Sequence, residues 1–215
     1  MTLHVVLHEI GHGLIREFDI PVLANEETTA DAFATHYLVM HMPDRAVEVL
    51  EARVASLMIE VGEGPVEGWG GERDHDGRRA FQIAALALAA DAEKYAPVAA
   101  VAGMSEEDIE GAADYGAEIH RSWRRVLGRL WMPAGAAQVE CDAESVFVWR
   151  VCECALATEI EQALRRFDWH SMVTVDFVDE GGGAGWSRGN RTVTVRSGYM
   201  NRFVEQGGRG LVARE

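Results

Sequence analysis

Apolar residues recur at helical spacing through the first two-thirds of the chain. In residues 2–17 they fall on one helix face, and in residues 26–42 they run from a good N-cap, Asn25, to Pro43, which ends the pattern. We therefore predict two consecutive helices at the start of the chain. Three further helices are predicted, the last of them opened by a capping box at Ser105. They span residues 44–61, 79–95 and 105–131.

Alternation of apolar and polar residues replaces the helical pattern towards the C-terminus. Residues 144–167 are still mostly helical in character, whereas residues 172–178 and 191–196 alternate as strands do. Since a glycine-rich turn separates these two strands, we predict a β-hairpin. The glycine-rich and charged stretch at 62–78 predicts a long loop. The fold class expected from the whole pattern is α+β and mostly helical.

Pro133 divides the pattern into two segments. Residues 1–133 predict a helical domain, and residues 134–215 predict a helix followed by the β-hairpin. A chain of 215 residues is long enough to bury a substantial core, as one large domain or two small ones. We expect the two segments to pack as one unit.

The composition is that of an acidic globular protein. Apolar residues make up 48% of the chain and charged residues 26%, and the net charge is −15. An acidic surface disfavours nucleic acid and anionic membranes as partners, and no apolar run approaches the roughly 20 residues that a membrane helix needs. The chain begins without the features of a signal peptide, so a cytoplasmic location is the default expectation.

The three cysteines, Cys141, Cys152 and Cys154, lie in one region of the chain. A disulfide from Cys141 to Cys152 or Cys154 and a set of buried free thiols both fit this spacing. Three thiols without a neighbouring histidine make a poor zinc site, so we expect no metal there.

The most specific chemistry lies in the first helix, in the sequence HEIGH at residues 8–12. His8 and His12 are four residues apart, so a helix places their imidazoles one above the other, where they can bind one small cation. Glu9 then lies beside that cation rather than on it, at the position of a general base for water. This HExxH pattern predicts a zinc site.

The second helix supplies candidates for the third zinc ligand. Glu27 and Asp31 are again four residues apart and share a helix face. We interpret Glu27 as the ligand and Asp31 as a carboxylate that orients a histidine ring through its second N–H. Glu26 is the alternative ligand, although it has no acid four residues later.

These residues resemble known zinc peptidases. His8, Glu9 and His12, with a Glu followed four residues later by Asp, are similar to the zincins that use Glu as their third ligand. The stretch HEIGHGLIREFDIPVLANEETTADAFA more closely resembles a bacterial family of unknown function that is described as metallopeptidases. That likeness continues more weakly through residues 76–81 and 122–123 and covers about residues 1–133. A shorter likeness, which ends at Pro43, is to regulatory zinc peptidases that cleave phage or stress repressors.

The resemblance implies a zincin-like fold and a zinc-dependent metallopeptidase with a peptide or protein substrate. Zinc would activate a water molecule, and Glu9 would take its proton and pass it to the leaving amine. One alternative is a non-catalytic zinc-binding interaction module, that is, a pseudo-peptidase. Another is a regulatory peptidase that cleaves a repressor protein. Glu9 favours an enzyme, because a purely structural site needs only ligands.

Two further residues are candidates for stabilising the oxyanion that forms as water attacks. His75 lies in the predicted loop with Asp76, Arg78 and Arg79, and Tyr199 follows the last predicted strand. The alternative for His75 is a solvated charged loop held by an Arg–Asp pair. The other histidines show no such pattern, and we expect them to be packed in the core or to lie on the surface.

The position of the HExxH helix near residue 8 also carries information. Zincins place an edge strand beside the metal, where a peptide substrate adds as another strand. In the resembling family a similar strand-turn-strand segment comes before HExxH, whereas here residues 164–203 come after it. Our hypothesis is that the chain is circularly permuted relative to that family, or takes its sheet from a neighbouring repeat. The 172–197 hairpin would then pack on the metal-binding helices. The alternative is an ordinary C-terminal hairpin.

Overall fold

A computed structural model describes residues 1–22, 25–63, 72–132, 135–141 and 156–202. The elements follow one another as six helices, a strand, a helix and three strands within these ranges. They are α1 (Thr2–Glu17), α2 (Glu26–His41), α3 (Pro43–Glu63), α4 (Glu72–Ala90), α5 (Ala96–Val101), α6 (Glu106–Leu127), β1 (Ala137–Cys141), α7 (Leu156–Leu164), β2 (Val173–Val178), β3 (Ala184–Ser187) and β4 (Thr192–Arg196).

The expected α+β, mostly helical fold class is confirmed. Both helices predicted at the start of the chain form, and Asn25 caps the second by accepting hydrogen bonds from the backbone N–H groups of Glu27 and Thr28. Ser105 and Asp108 form the predicted capping box, in which each side chain accepts from the other residue's backbone N–H.

Contacts divide the chain into two compact units. The first consists of Met1 and Ala24–Arg125 and is built from helices: α2, α3, α4 and α5 pack on one another. Its largest fully buried side chains include those of Phe33, Leu38, Leu50, Leu57, Ile83 and Tyr95.

The second unit consists of Thr2–Leu23 and Val126–Glu215 and contains a four-stranded sheet with strand order β1-β2-β4-β3. Alternate side chains of β2 and β4 are buried, among them Val175, Phe177 and Val193. Helix α1 packs against β3 and β4, and α7 packs against β1. The HExxH helix therefore lies on a sheet that comes last in the chain.

The predicted hairpin between residues 172–178 and 191–196 is wrong in its pairing. β2 and β4 run parallel, with Thr174 opposite Thr192, and the hairpin joins β3 to β4 instead. β3 lies within the stretch that we predicted as a turn. Alternation marks a strand with one buried face but does not encode its direction, and the short β3 shows no clear alternation.

The predicted loop at residues 62–78 is also wrong where the structure describes it. α3 extends to Glu63 and α4 begins at Glu72, so Asp76 and its neighbours are helical. Charged residues on the solvent side of a helix lack the apolar periodicity on which the prediction relied. Residues 64–71 lie outside the described ranges.

Three other expectations concern residues that are described only in part. Of the predicted helix at 144–167, residues 156–164 are helical, and residues 142–155 are not described. Cys152 and Cys154 fall in that gap, so both cysteine alternatives stay predictions. No helix among the described residues is long and apolar enough to cross a membrane.

Candidate metal centre

His8 and His12 come together on α1 as the sequence predicted. Their Nε2 atoms lie 3.1 Å apart, and their rings meet edge to face with centroids 4.7 Å apart. Two nitrogen ligands at zinc–nitrogen distances of 2.0–2.1 Å and a tetrahedral angle would be separated by about 3.3 Å. The two imidazoles thus already have nearly the spacing of a metal-binding pair.

The packing of α1 fixes the place of these histidines. Buried apolar side chains on both sides of the HEIGH segment anchor the helix, and His8 itself is only 6% exposed. Immediately after His12 the helix carries Gly13, where an added Cβ would lie 3.4 Å from the Trp186 ring of β3. Trp186 thus packs directly against α1 at the end of the metal-binding motif. Glu9 is partly exposed on the same helix.

Glu27 occupies the first turn of α2, where the helix dipole stabilises a negative charge. The Asn25 side chain accepts a 2.8 Å hydrogen bond from the Glu27 backbone N–H, so the backbone of this residue is held by the cap. Its carboxylate remains accessible, with the side chain 45% exposed. Glu26, the alternative ligand, is the first residue of the same helix.

Asp31 has a partner that the sequence analysis did not assign. Arg79 of α4 donates two hydrogen bonds to the Asp31 carboxylate, one of 2.6 Å from Nε and one of 3.1 Å from a terminal nitrogen. The same terminal nitrogen lies 3.9 Å from Glu27 Oε2, and the other one lies 3.9 Å from Asp76. The proposed role of Asp31 in orienting a histidine ring stays a prediction.

The Arg79 guanidinium is held firmly in its charged form. Burial by itself would lower the pKa of this group, but the hydrogen-bonded Asp31 carboxylate, with Glu27 and Asp76 nearby, raises the pKa above its ordinary value. Arg79 is therefore a permanent cation beside the carboxylate face of α2. The sequence signals for Arg79 were the weaker likeness over residues 76–81 and its place in the charged stretch around His75, and neither of them paired it with Asp31.

His75 lies on α4 rather than in a loop. Its Nε2 is 3.3 Å from the Nδ2 of Asn25, so it contacts the cap residue two positions before Glu27. Because the Asn25 amide group donates, His75 Nε2 accepts and its Nδ1 carries the proton. Tyr199, the other oxyanion candidate, lies in a helical stretch at residues 197–202. The oxyanion role of either residue stays a prediction.

The remaining histidines divide between buried and accessible positions. His4, His36 and His120 are buried, and the last two form a pair with their Nδ1 atoms 2.8 Å apart. His170 is 60% exposed and its Nδ1 lies 3.9 Å from Glu17. These positions agree with the expectation of packed or surface residues.

His8, His12 and Glu27 form a group of side chains that could hold a metal ion. The two nitrogen donors and one carboxylate oxygen are a donor set that zinc commonly accepts. Residues 1–127 match the family model DUF4344, whose description is "Putative metallopeptidase". The chain belongs to this family. No curated protein and no solved structure matches it.

Membership of this metallopeptidase family implies a metal and suggests a hydrolase. The matched residues include all of α1, α2 and α4 and therefore every predicted ligand as well as His75 and Arg79. Tyr199 and the sheet lie outside the match.

Proposed function

We propose that this protein is a zinc-dependent metallopeptidase that binds Zn²⁺ through His8, His12 and Glu27. The observation that carries the proposal is the approach of the two Nε2 atoms to 3.1 Å on the HExxH helix of a metallopeptidase-family member. Bound zinc would act as a Lewis acid that makes water nucleophilic at neutral pH. Glu9 would take the proton of the attacking water and deliver it to the leaving amine.

We further propose that a peptide substrate adds as a strand along β3. Among the described strands, β3 pairs with β4 alone and so lies at one edge of the sheet. The close approach of Trp186 to Gly13 sets this edge strand against α1 just beyond His12. A peptide paired there would satisfy its backbone groups in the way that β-augmentation does elsewhere.

The packing of α1 on β3 and β4 also supports the hypothesis of a circular permutation. A strand beside the HExxH helix is what the zincin resemblance implies, and here that strand follows the helix in sequence. The permutation relative to the family remains our proposal.

The decisive experiment separates metal binding from catalysis by replacing Glu9 with Gln. We expect zinc at one ion per chain in both the parent and Glu9→Gln, and proteolysis of an unstructured protein substrate by the parent only. The loss should be on the order of 10²–10⁴-fold, the usual contribution of general acid–base catalysis. Glu110→Gln, on the exposed side of α6, is the matched control and should leave activity unchanged.

Each alternative function predicts a different result. A non-catalytic zinc-binding interaction module would bind zinc but show no proteolysis in the parent protein. Equal proteolysis by parent and Glu9→Gln would refute Glu9 as the base, and absence of bound zinc would refute the metal site. A regulatory peptidase would cleave a repressor protein in preference to unstructured substrates.

Glu27→Gln and Glu26→Gln together test the third ligand. We expect Glu27→Gln to weaken zinc binding strongly, because an amide oxygen is a poorer zinc ligand than a carboxylate. Glu26→Gln should have little effect, because Glu26 is not the proposed ligand. The reverse order would assign the ligand to Glu26.

A further inference from the structure

Arg79 contacts carboxylates on two helices and has no part in the chemistry described above. It lies on α4, its side chain is 13% exposed, and its strongest partner is the 4% exposed side chain of Asp31. We propose that Arg79 is a positioning residue that fixes the Glu27 carboxylate for metal binding. This inference rests on the proposed zinc site and adds to it a residue that sets its affinity.

The Arg79–Asp31 pair is rigid. Two hydrogen bonds, of 2.6 and 3.1 Å, join the planar guanidinium to the two carboxylate oxygens. This bidentate geometry allows little rotation of either group. Asp31 therefore holds the Arg79 guanidinium in a fixed position beside α2.

Arg79 also forms an ion pair with Glu27. The Glu27 side chain is 45% exposed, and its Oε2 lies 3.9 Å from a terminal nitrogen of Arg79. Ordering an exposed glutamate side chain costs rotamer entropy. A guanidinium fixed by Asp31 attracts one oxygen of Glu27 and so reduces the number of rotamers that metal binding must select.

A cation beside a metal ligand would repel the metal unless neighbouring charges compensate it. Asp31, Asp76 and Glu27 surround the single charge of Arg79, so the four residues carry a formal charge of −2. Asp31 and Asp76 compensate the guanidinium, and the cluster still attracts a divalent cation. Arg79 can thus orient Glu27 without cancelling its charge.

A lysine could not replace Arg79 in this role. Its ammonium group is a point charge on a flexible stem and cannot hold Asp31 through two parallel hydrogen bonds while it faces Glu27. Arg79→Lys preserves the buried positive charge and tests the geometry alone. Arg79→Met removes both charge and geometry. Arg78→Met, at the exposed neighbouring position on the same helix, is the matched control.

The experiment measures the dissociation constant for zinc by chelator competition, and the melting temperature of the metal-free protein. We expect a 10- to 100-fold weaker affinity in Arg79→Met, the usual effect of losing a group that supports a metal ligand, and about tenfold in Arg79→Lys. Arg78→Met should bind zinc like the parent. The melting temperature of metal-free Arg79→Lys should stay close to that of the parent, which separates positioning from a purely structural role.

Glu27→Gln distinguishes failure of this inference from failure of the zinc site. If Glu27→Gln weakens zinc binding while Arg79→Lys stays within twofold of the parent, the positioning role is overturned and the site stands. If Glu27→Gln leaves the affinity unchanged, the proposed ligand set itself is refuted. Should Arg79→Met fail to fold because it leaves Asp31 buried without its cation, Arg79→Lys decides the question alone.

Discussion

At the scale of single residues, the pair formed by His36 and His120 shows how burial sets protonation. His120 Nε2 lies 2.7 Å from the carbonyl oxygen of Leu86, so this nitrogen carries a proton and donates it. His120 Nδ1 then accepts from the Nδ1–H of His36, at 2.8 Å. Both rings are neutral in this arrangement. Burial, the neighbouring His120 and His41 and the charge of Arg124 lower the pKa of His36 to about 3.

The stability of the protein should therefore fall as the pH is lowered. Burial also lowers the pKa of His120, so between pH 6.5 and about 3 the unfolded chain binds protons that the folded chain cannot accept. The stability contributed by these neutral histidines is fully present above pH 6.5. Below pH 6.5 the free energy of unfolding decreases by up to about 1.4 kcal/mol per pH unit for each histidine whose pKa is lowered. Denaturant titrations of the metal-free protein at several pH values measure this slope.

His36→Gln provides the comparison for that measurement, since its amide can still donate to His120 but does not titrate. We expect a shallower loss of stability on acidification in this variant than in the parent. Identical slopes in the two proteins would show that His36 does not contribute.

At the scale of elements, helix packing depends on glycines whose role the sequence pattern did not reveal. Helix α6 carries Gly111 and Gly116, both of which interrupt an otherwise good helical pattern. A Cβ added at Gly116 would lie 2.3 Å from the Cβ of Ala89 and 3.1 Å from the carbonyl oxygen of Ala85, whereas nothing lies within 4 Å of one added at Gly111. Gly116 therefore sets how closely α6 approaches α4.

The two glycines make opposite predictions for the same substitution. Gly116→Ala should lower the free energy of unfolding by roughly 1–3 kcal/mol, because a methyl group overpacks the contact with α4. Gly111→Ala should raise it by up to about 1 kcal/mol, because alanine has the higher helix propensity. Urea unfolding of both variants beside the parent tests the pair, and equal effects would contradict the close contact at Gly116.

At the scale of the whole molecule, the HExxH helix packs on a part of the chain that lies outside the family match. The match ends at residue 127, yet α1 packs on β3 and β4. An ion pair adds to this packing: Arg191, the residue before β4, lies 2.6 Å from Glu17 at the end of α1. The Glu17 side chain is only 4% exposed, so the ion pair is shielded from solvent on the Glu17 side.

A chain that ends at Met132 should therefore fail to hold its metal site. Without the sheet, α1 loses the surface that buries its apolar face, and Glu17 loses Arg191. We expect zinc affinity to fall on the order of 100-fold or more, since the energy of ordering α1 must then come from metal binding. Zinc titration and circular dichroism of the truncated and full chains measure the effect. Equal affinity in both would show that the sheet does not support α1.

The sequence alone determined the local features of this protein. Residue spacing determined α1 and α2, the cap of α2 at Asn25 and the meeting of His8 with His12, because helix geometry and capping depend on neighbours within a few positions. Tertiary structure decided what joins residues far apart in the chain. The parallel pairing of β2 with β4, the partnership of Arg79 with Asp31 and the packing of Trp186 on Gly13 all depend on contacts across 18 to 173 positions, which no local period encodes.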